Sequence, residues 1–337
     1  MRFEYYSEAI ADVPKLSVDG TVGNSIHFSH WQGNKTPAEV KADTSTEIAL
    51  NLVTSANKRE LTQGIELVTN NHFDTDGVLS VWTTLTGERA ADYRDRLAAA
   101  AVAGDFSEYS SPEGVRISVA IQGSDQANPD DEAGSPLARF LAGHVVEDEA
   151  EAYALVLPEV EKLLLRVNDY EVLWRHGWEK IVAAMESFNR GTSKVHEYPE
   201  EGVSLIKLAP EIFSGSGFNP TKHAAPYTAI SHYARGTLYE IAIPNEGGWF
   251  YRLDYPYYSW AETVVRPRIE ARDFSRVLPL LNEKEMNQDG RWRLDNQEMT
   301  SAVKFVDDQG MLVASSLEPD DVAEVLTKQT GAQTAAV

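Results

Sequence analysis

A compact apolar run, followed at once by a polar turn and a second apolar stretch, is the feature that most restricts how this 337-residue chain can fold. Residues 65 to 71, Ile-Glu-Leu-Val-Thr-Asn-Asn, end in turn-forming residues, as buried strands do. Residues 72 to 77 are polar, and Val78 to Leu85 has the composition of a helix. A strand, a turn and a helix in direct succession form the repeating unit of α/β folds. We therefore expect an α/β protein.

Three further patterns describe a first lobe, which we expect to span residues 1 to 125. Residues 44 to 57 open with capping-type residues and predict a short helix. Residues 88 to 103, rich in Ala, Leu and Arg, predict a longer helix, and the alternation in residues 115 to 121 predicts a second strand. This lobe is then an open sheet with helices, and the polar, acidic loop from Gly123 to Pro136 marks its end.

The rest of the chain predicts a helical segment and a second lobe. Residues 137 to 190 form the helical segment, with interruptions at Pro158 and near Asn168. Residues 200 to 330 form an α+β lobe with mainly antiparallel strands, because strand-like runs alternate there with Gly and Pro. The predicted strands are residues 203 to 208, 227 to 233, 237 to 243 and 249 to 254, and the predicted closing helices are residues 273 to 286 and 319 to 328.

Composition and charge exclude several classes of protein. The chain has no cysteine, which excludes disulfides, thiolate metal ligands and a cysteine nucleophile. Its formal net charge of -22 argues against binding to a long nucleic acid, since that affinity comes largely from Lys and Arg. The start of the chain lacks the basic and apolar stretches of a signal peptide, and no 18-residue apolar segment occurs. We expect a cytoplasmic protein without membrane contact, and leave the oligomeric state open, a dimer included.

The polar turn itself predicts a metal site. His72, Asp74 and Asp76 alternate directly after the predicted strand, so their side chains can point the same way into the crevice where open α/β sheets bind ligands. One imidazole and two carboxylates suit Mn²⁺, Mg²⁺, Fe²⁺ or Zn²⁺, and Gly77 permits a sharp turn into the helix. An Asx-rich turn that merely caps the helix is the alternative.

The string His-x-Asp-x-Asp-Gly-x-x-Ser from His72 to Ser80, after an apolar strand, resembles the first motif of the DHH phosphoesterase superfamily. That superfamily includes RecJ-like nucleases, oligoribonucleases and exopolyphosphatases. The resemblance implies a DHH-like lobe in which Asp74 and Asp76 bind catalytic Mn²⁺. Through residues 29 to 34 and 258 to 260, the whole chain also resembles an uncharacterised bacterial family with no assigned activity.

No Asp-His-His triplet follows the motif, so further ligands have to come from elsewhere. Asp105 is the nearest carboxylate in sequence that can stand in for a second motif aspartate. His144 is the candidate to replace the missing histidines. The alternatives are a loop residue that ends a helix for Asp105, and a surface histidine among acids for His144.

The stretch from His27 to Pro37 is the second unusual segment. His30 can protonate a leaving group there, and Trp31 and Asn34 can line a pocket over the metal. The alternative is a strand end with a tight turn in which Trp31 belongs to the core.

Arginines and aromatic residues concentrate in residues 251 to 273, an exception in so acidic a chain. Arginine forks match phosphate or carboxylate oxygens, and aromatic faces stack on planar groups. We expect this stretch to face the metal site and bind an anionic substrate. The alternative is that its arginines pair with acids at a lobe interface. The candidate substrate-binding residues are Arg252, Tyr258, Trp260, Arg266 and Arg268.

These features together predict a metal-dependent hydrolase, phosphoesterase-like, that acts on a small anionic molecule with Mn²⁺ as the favoured ion. His30, His72 and Asp76 are the candidate catalytic residues. Two other functions fit the same residues: a metal-dependent hydrolase or lyase with a substrate that lacks phosphate, and a non-catalytic ligand-binding protein.

Overall fold

The computed structural model describes residues 1–123, 134–210, 225–296 and 300–329. Most of the predicted polar loop from Gly123 to Pro136 lies outside them. The α-helices of the described residues are α1 (Ser45–Thr54), α2 (Lys58–Leu61), α3 (Thr75–Thr86), α4 (Arg94–Asp105), α5 (Pro112–Gln122), α6 (Pro136–Ala142), α7 (Glu149–Val156), α8 (Val160–Leu165), α9 (Glu171–Asn189), α10 (Tyr227–Tyr233), α11 (Val277–Lys284) and α12 (Pro319–Gln329). The strands are β1 (Arg2–Phe3), β2 (Lys15–Val18), β3 (Ser25–Phe28), β4 (Leu67–Thr69), β5 (Lys194–Tyr198), β6 (Val203–Lys207), β7 (Leu238–Asn245), β8 (Gly248–Asp254), β9 (Arg291–Leu294) and β10 (Ser301–Val306).

The chain divides into two compact units. The first contains Met1–Glu179 together with Trp260–Arg268, and the second contains Lys180–Ser259 together with Ile269–Val337. The first unit carries a parallel sheet and the second a mixed sheet, which confirms the expected α/β class with two lobes. The helical segment predicted for residues 137 to 190 is divided between the units after Glu179.

The first unit is built around a four-stranded, wholly parallel sheet in the order β1-β4-β2-β3. Helix α3 follows β4 directly and packs against α1 and α4. Because the strands are parallel, their carboxyl ends share one edge of the sheet, the edge at which open α/β sheets bind ligands. The buried core of this unit includes Leu16, Val18, Phe28, Ile48, Leu52, Val68, Val78 and Leu79.

The connection from β2 to β3 is unusually tight. Parallel strands normally need a crossover of a dozen or more residues, but here only residues 19 to 24 join them. Asp19 and Asn24 both adopt left-handed backbone conformations, with φ of 52° and 49°. A Cβ at Gly20 would lie 2.4 Å from Asn71 Oδ1, so the glycine allows the Asn71 side chain to approach the turn closely. The turn therefore brings Asp19 against the residues that follow β4.

A buried lysine, Lys15, joins the segment before β2 to the residue that precedes β3. Lys15 is fully buried at the start of β2. Its ammonium group donates to the carbonyl oxygens of Ile10 at 3.0 Å, Ala11 at 2.8 Å, Val13 at 3.0 Å and Asn24 at 3.3 Å. The Ile10 oxygen also accepts from the Val13 amide, and the Ala11 oxygen also accepts from Asn24 Nδ2. Lys15 therefore joins both ends of the segment before β2 to the turn that precedes β3 by charge-assisted hydrogen bonds.

The second unit has a six-stranded sheet in the order β5-β6-β7-β8-β10-β9. Only the pair of β6 and β7 is parallel, which confirms the mainly antiparallel arrangement. Strand β7 separates two hydrophobic clusters, with Leu238 and Ala242 in one and Ile241 and Ile243 in the other. The alternation of side chains along β7 produces this division.

Two sequence predictions are wrong. Residues 115 to 121 belong to helix α5 rather than to a strand, because Ser111 caps the helix by accepting a hydrogen bond from the Gly114 amide and a proline occupies the first turn. The alternation of apolar residues did not indicate a strand, because α5 is buried on most sides and therefore has apolar residues all round. Residues 227 to 233, also predicted to be a strand, form α10, a short helix that begins directly after Pro226. Strand β6 therefore pairs with β7 and not with this segment.

Most other predicted elements are confirmed with shifted bounds. Helix α1 has the expected capping box between Thr44 and Glu47. The long helix predicted from residue 88 is a 3-10 helix over Gly87–Tyr93 followed by α4. Interruptions in the helical segment occur as 3-10 turns at Leu157–Glu159 and Val167–Tyr170. Within the described parts of the chain, no helix combines the length and the apolar character needed to cross a membrane.

The Lys15→Met variant should lose stability in the first unit. Methionine keeps the bulk of the side chain but removes the four charge-assisted hydrogen bonds of the ammonium group, which should lower the free energy of unfolding by roughly 3 kcal/mol. Urea denaturation followed by circular dichroism measures the change. Lys284→Met, which removes the same charge from an exposed position, is the control. Equal stability of the two variants would refute the role given to Lys15.

Glu240 is a buried acid in the middle of β7. It lies on the same face of the strand as Leu238 and Ala242, is fully buried, and neither carboxyl oxygen has a hydrogen-bond partner. Burial raises the pKa of Glu240 well above its usual value of 4.5, although the charge of Lys207 opposes this. The side chain is therefore protonated in the folded protein at a pH where the unfolded chain ionises it.

This raised pKa makes stability depend on pH. The folded state binds a proton that the unfolded state releases, so the contribution of Glu240 is complete below pH 4.5 and is lost as the pH rises through the folded-state value. Glu240→Gln should therefore match the parent protein at acidic pH and exceed it in stability at pH 8. Calorimetric melting temperatures across this range test the difference, and a constant gap at all pH values would contradict it.

Candidate metal centre

Three neighbouring strands deliver acidic and imidazole side chains to one edge of the parallel sheet. Asp19 directly follows β2, His30 follows β3, and His72 and Asp74 follow β4. Asp76 lies in the first turn of α3, which begins at the same edge. The parallel sheet therefore gathers residues that are far apart in sequence into one cluster, as expected for the carboxyl ends of such strands.

The cluster contains two groups of metal-ligand type that share one aspartate. Asp19, His30 and Asp76 form a fully buried group, and Asp19, His72 and Asp74 form a second, partly buried group. Within each group, one ligand atom per residue lies within 4.8 Å of the others. The three residues predicted to form one site, His72, Asp74 and Asp76, are thus divided between two groups, and Asp19 belongs to both.

The second group has the tighter geometry. His72 Nε2 lies 3.0 Å from Asp19 Oδ2 and 3.1 Å from Asp74 Oδ2. Ligand atoms held at about 2.1 Å from a six-coordinate ion are about 3 Å apart at neighbouring positions. The side chains of His72 and Asp74 are 24% and 28% exposed, so this group forms the accessible side of the cluster.

The first group is deeper and is anchored by a helix terminus. His30 Nδ1 lies 3.5 Å from Asp76 Oδ2 and 4.0 Å from Asp19 Oδ1. The Asp76 carboxylate accepts hydrogen bonds from the amides of Ser45 at 2.7 Å and Thr46 at 2.8 Å. These amides open α1 and have no partner within the helix, so Asp76 is held where the helix favours negative charge.

Close packing of buried carboxylates shifts their pKa values. Burial, and next the charge of Asp74, raise the pKa of Asp19 to about 6. Burial, and next the charges of Asp19 and Asp105, raise the pKa of Asp76 well above its usual range. Burial alone would also raise the pKa of Asp74, but the neighbouring His72 outweighs it and lowers that pKa. The carboxylates therefore need bound protons or a cation.

The pKa values of the two histidines are also raised, although burial acts on an imidazole in the opposite sense. Burial alone would lower the pKa of both, but the charge of Asp105 dominates at His30 and raises its pKa to about 9. The charge of Asp74 does the same at His72 and raises its pKa to about 12. A divalent cation would compete with these protons, since coordination requires neutral imidazole and ionised carboxylate.

The donors fit a divalent ion that prefers oxygen and imidazole ligands. The two groups offer only carboxylate oxygens and imidazole nitrogens, in spacings that a single ion can span. A bound cation would also offset the mutual repulsion of the carboxylates. Residues that could hold it are Asp19, His30, His72, Asp74 and Asp76.

Asp105 contacts the cluster from behind His30. Its Oδ2 lies 2.9 Å from His30 Nε2, off the line of an ideal hydrogen bond. Nε2 is on the opposite side of the ring from the Nδ1 atom that faces Asp19 and Asp76, so Asp105 orients His30 rather than joining its group. Carboxylates commonly support metal-ligating histidines in this way. Asp105 belongs to neither ligand group.

The expected ligand His144 also joins neither group. Its side chain is 64% exposed and lies 4.0 Å from Glu151. Its environment corresponds to the alternative interpretation, a surface histidine among acids.

The loop after β3 and a distant segment of the chain cover one side of the cluster. We call residues 260 to 268, which belong to the first unit, the strap. Trp260 in the strap lies 5.0 Å from the His30 ring and 5.4 Å from the Trp31 ring. Trp31 in turn lies 5.3 Å from His72. The structure therefore places Trp31 and Trp260 beside the histidines.

Glu262 ties the strap to this loop. Its carboxylate accepts hydrogen bonds from the Gly33 amide at 3.0 Å and from Asn34 Nδ2 at 2.8 Å, and its own amide donates to the His30 carbonyl oxygen at 2.7 Å. Asn34, expected to bind substrate, here holds the backbone.

Arg266 also attaches the strap to the rest of the first unit. Its guanidinium binds Asp43 Oδ2 at 2.7 Å, contacts both oxygens of Glu108, and lies over the ring of Phe106. Asp43 also accepts hydrogen bonds from the amides of Val264, Val265 and Arg266. Arg266 therefore pairs with acids, which was the alternative to anion binding.

The other arginine and tyrosine candidates divide between the units. Arg268 is exposed at the end of the strap. Arg252 belongs to the second unit, where it pairs with the buried Asp254 at 2.8 Å. Tyr258 also belongs to the second unit, in the 3-10 turn Tyr257–Trp260.

Sequence reasoning missed Asp19, which both ligand groups share. A signal was present, because the short buried strand β2 is followed directly by Asp19-Gly20, an Asp-Gly pair of the same kind as Asp76-Gly77. Four residues are too few to show a clear strand periodicity.

Replacing Asp43 with alanine is expected to release the strap. The change removes the carboxylate that accepts hydrogen bonds from three strap amides and pairs with Arg266. Hydrogen bonds to charged groups contribute about 1.5–3 kcal/mol each. Cleavage by elastase at Val265, which is 87% exposed, should accelerate about tenfold or more. Mass spectrometry of the fragments measures this rate. Asp95→Ala on the exposed side of α4 is the control, and equal rates in both variants would rule out the attachment.

Comparison with known proteins adds a family but no activity. No curated protein and no solved structure matches the chain. A family model matches residues 1–337, and this match gives no support to membership of the DHH superfamily. Because the match covers the whole chain, the protein belongs to this family, which is described as a family of unknown function (DUF6687).

Proposed function

We propose that the chain is a divalent-metal-dependent hydrolase with a two-ion centre whose two sets of ligands would share Asp19. The orientation of the Asp19 carboxylate carries this proposal. Its Oδ2 lies 3.0 Å from His72 Nε2, whereas its Oδ1 faces His30 Nδ1 at 4.0 Å. One carboxylate that presents its two oxygens to two separate His/Asp sets has the form of a bridging ligand.

The donor set favours Mn²⁺, with Mg²⁺, Fe²⁺ and Zn²⁺ as alternatives. Imidazole with carboxylate is a borderline-hard set, and the absence of cysteine from the chain removes thiolate-selective ions. When bound, paired ions would polarise a scissile group and acidify a water molecule so that it attacks at neutral pH.

The chain's own residues define how a substrate reaches this centre. Asp19, His30 and Asp76 are buried, so the substrate has to approach the accessible side formed by His72 and Asp74. Tyr153 fixes that side by donating from its hydroxyl to the His72 carbonyl oxygen at 3.0 Å. Asp105 holds the His30 ring so that Nδ1 points into the cluster.

A small phosphoester is the substrate class that we favour. The His72 to Ser80 string resembles a phosphoesterase motif, and the net charge of -22 disfavours a long polyanion. Bound cations would concentrate positive charge at the accessible side of this otherwise acidic molecule. A small anion could therefore bind the ions directly.

Metal analysis tests the centre. Protein purified without chelators and loaded with Mn²⁺ should retain about two ions per chain. Asp19→Asn should reduce this to about one ion or fewer because both sites lose a ligand, whereas Asp74→Asn should empty mainly the accessible site. Plasma mass spectrometry after desalting measures the content, and circular dichroism confirms that the variants are folded.

Asp308→Asn, at a fully exposed aspartate of the second unit, is the matched control and should leave the metal content unchanged. Hydrolysis of bis(4-nitrophenyl) phosphate and 4-nitrophenyl phosphate, compared with 4-nitrophenyl acetate, separates phosphoester from carboxylester chemistry. Metal binding that is unaffected by Asp19→Asn would refute the bridged centre. Metal binding without hydrolysis of any ester would favour a non-catalytic ligand-binding protein.

A further inference from the structure

An exposed tryptophan stands at the accessible side of the cluster. Trp31 is 38% exposed, while Trp82, Trp174 and Trp292 are each no more than 7% exposed. The Trp31 ring centroid lies 5.3 Å from that of His72, the more accessible histidine. A molecule that binds an ion at His72 and Asp74 therefore meets the indole of Trp31.

The backbone around Trp31 is held on both sides. The Trp31 amide donates to Ser29 Oγ at 3.1 Å, and its carbonyl oxygen accepts from the Asn34 amide at 3.0 Å and from Asn34 Nδ2 at 2.8 Å. Glu262 in the strap binds Asn34 in turn. A side chain on such a backbone loses little conformational entropy when a ligand binds, which is the benefit of preorganisation.

The ring itself is also supported. Trp260 meets Trp31 at 5.4 Å with an interplanar angle of 73°, an edge-to-face contact, and His72 meets it at 47°. These two contacts orient the indole, yet more than a third of the residue stays in water. Because the indole is exposed, the hydrophobic effect does not explain its position beside an ionic cluster. Its flat face is available to stack on a planar group.

We infer that Trp31 is a stacking platform for a planar, unsaturated ring carried by the substrate next to its anionic group. The inference rests on the proposed function, because the anion has to bind at His72 and Asp74 for the ring to reach Trp31. The separation of about 5 Å between the rings of Trp31 and His72 requires the planar ring to be attached to the anionic group directly or through a short linker. An aryl phosphate is the smallest molecule of this class.

A matched pair of ligands separates stacking from simple contact. Phenyl phosphate and cyclohexyl phosphate have the same charge and similar size, but only the first is planar. Mn²⁺-loaded protein should bind phenyl phosphate about tenfold more tightly than cyclohexyl phosphate, as expected for one aromatic pair. Isothermal titration calorimetry measures both affinities, with inorganic phosphate as the reference for the anion site.

Substitutions at Trp31 complete the test. Trp31→Phe should keep most of the preference, and Trp31→Leu should remove it without changing the affinity for inorganic phosphate or the metal content. Phe140→Leu, at another exposed aromatic residue of the first unit, is the control and should keep the full preference.

The possible results separate a failure of the stacking platform at Trp31 from a failure of the proposed metal centre. Binding of inorganic phosphate without a preference for the planar ligand overturns the platform and leaves the proposed function in place. Absence of any phosphate binding to metal-loaded protein overturns the proposed function, and the platform with it. If Trp31→Leu loses inorganic phosphate or metal as well, Trp31 shapes the ligand cluster and the platform is wrong. If it changes only the self-association of the chain, Trp31 belongs to an interface between copies and the platform is equally wrong.

Discussion

Burying several carboxylates side by side is the constraint on which the first unit depends. Asp19 and Asp76 are fully excluded from water, and burial together with neighbouring carboxylates raises the pKa of both. Ionised carboxylates this close repel one another strongly in a medium of low dielectric constant. The fold offsets part of this repulsion with the amides at the start of α1 and with two imidazoles. Protons or cations have to supply the rest, which is why the cluster is suited to metal binding.

The parallel sheet explains why this cluster exists at all. Strands β2, β3 and β4 run the same way, so Asp19, His30 and His72 leave the sheet at one edge. The six-residue connection between β2 and β3 forces Asp19 into a left-handed conformation. Strained backbone of this kind persists only when the surrounding structure determines it, and it concentrates at functional sites.

The strap shows how the unit recruits residues from a distant part of the sequence. Asp43 binds three successive strap amides, and Glu262 binds the loop that carries Trp31. Glu262 and Arg266 thus attach the strap to the rest of the unit, while Trp260 contacts His30. The proposed function therefore assigns recognition at the accessible side to aromatic surface and bound cations rather than to arginine forks.

Local signals in the sequence determined the strand, turn and helix around His72, the capping box of α1 and the strands β6, β7 and β8. These depend on apolar spacing and on residues near in sequence, which act before the chain is packed. The sequence also predicted roles for His30, His72, Asp74 and Asp76, which the structure divides between two ligand groups. Only the tertiary structure decided that Asp19 is shared by both ligand groups, that Asp105 supports His30, and that Arg266 pairs with Asp43 and Glu108. Helix α5 was decided in the same way, since burial on most of its sides hides the period of a helix. The physical reason is common to these cases: strand register, burial and ion pairing join residues that are far apart along the chain, and no local pattern encodes which of them will meet.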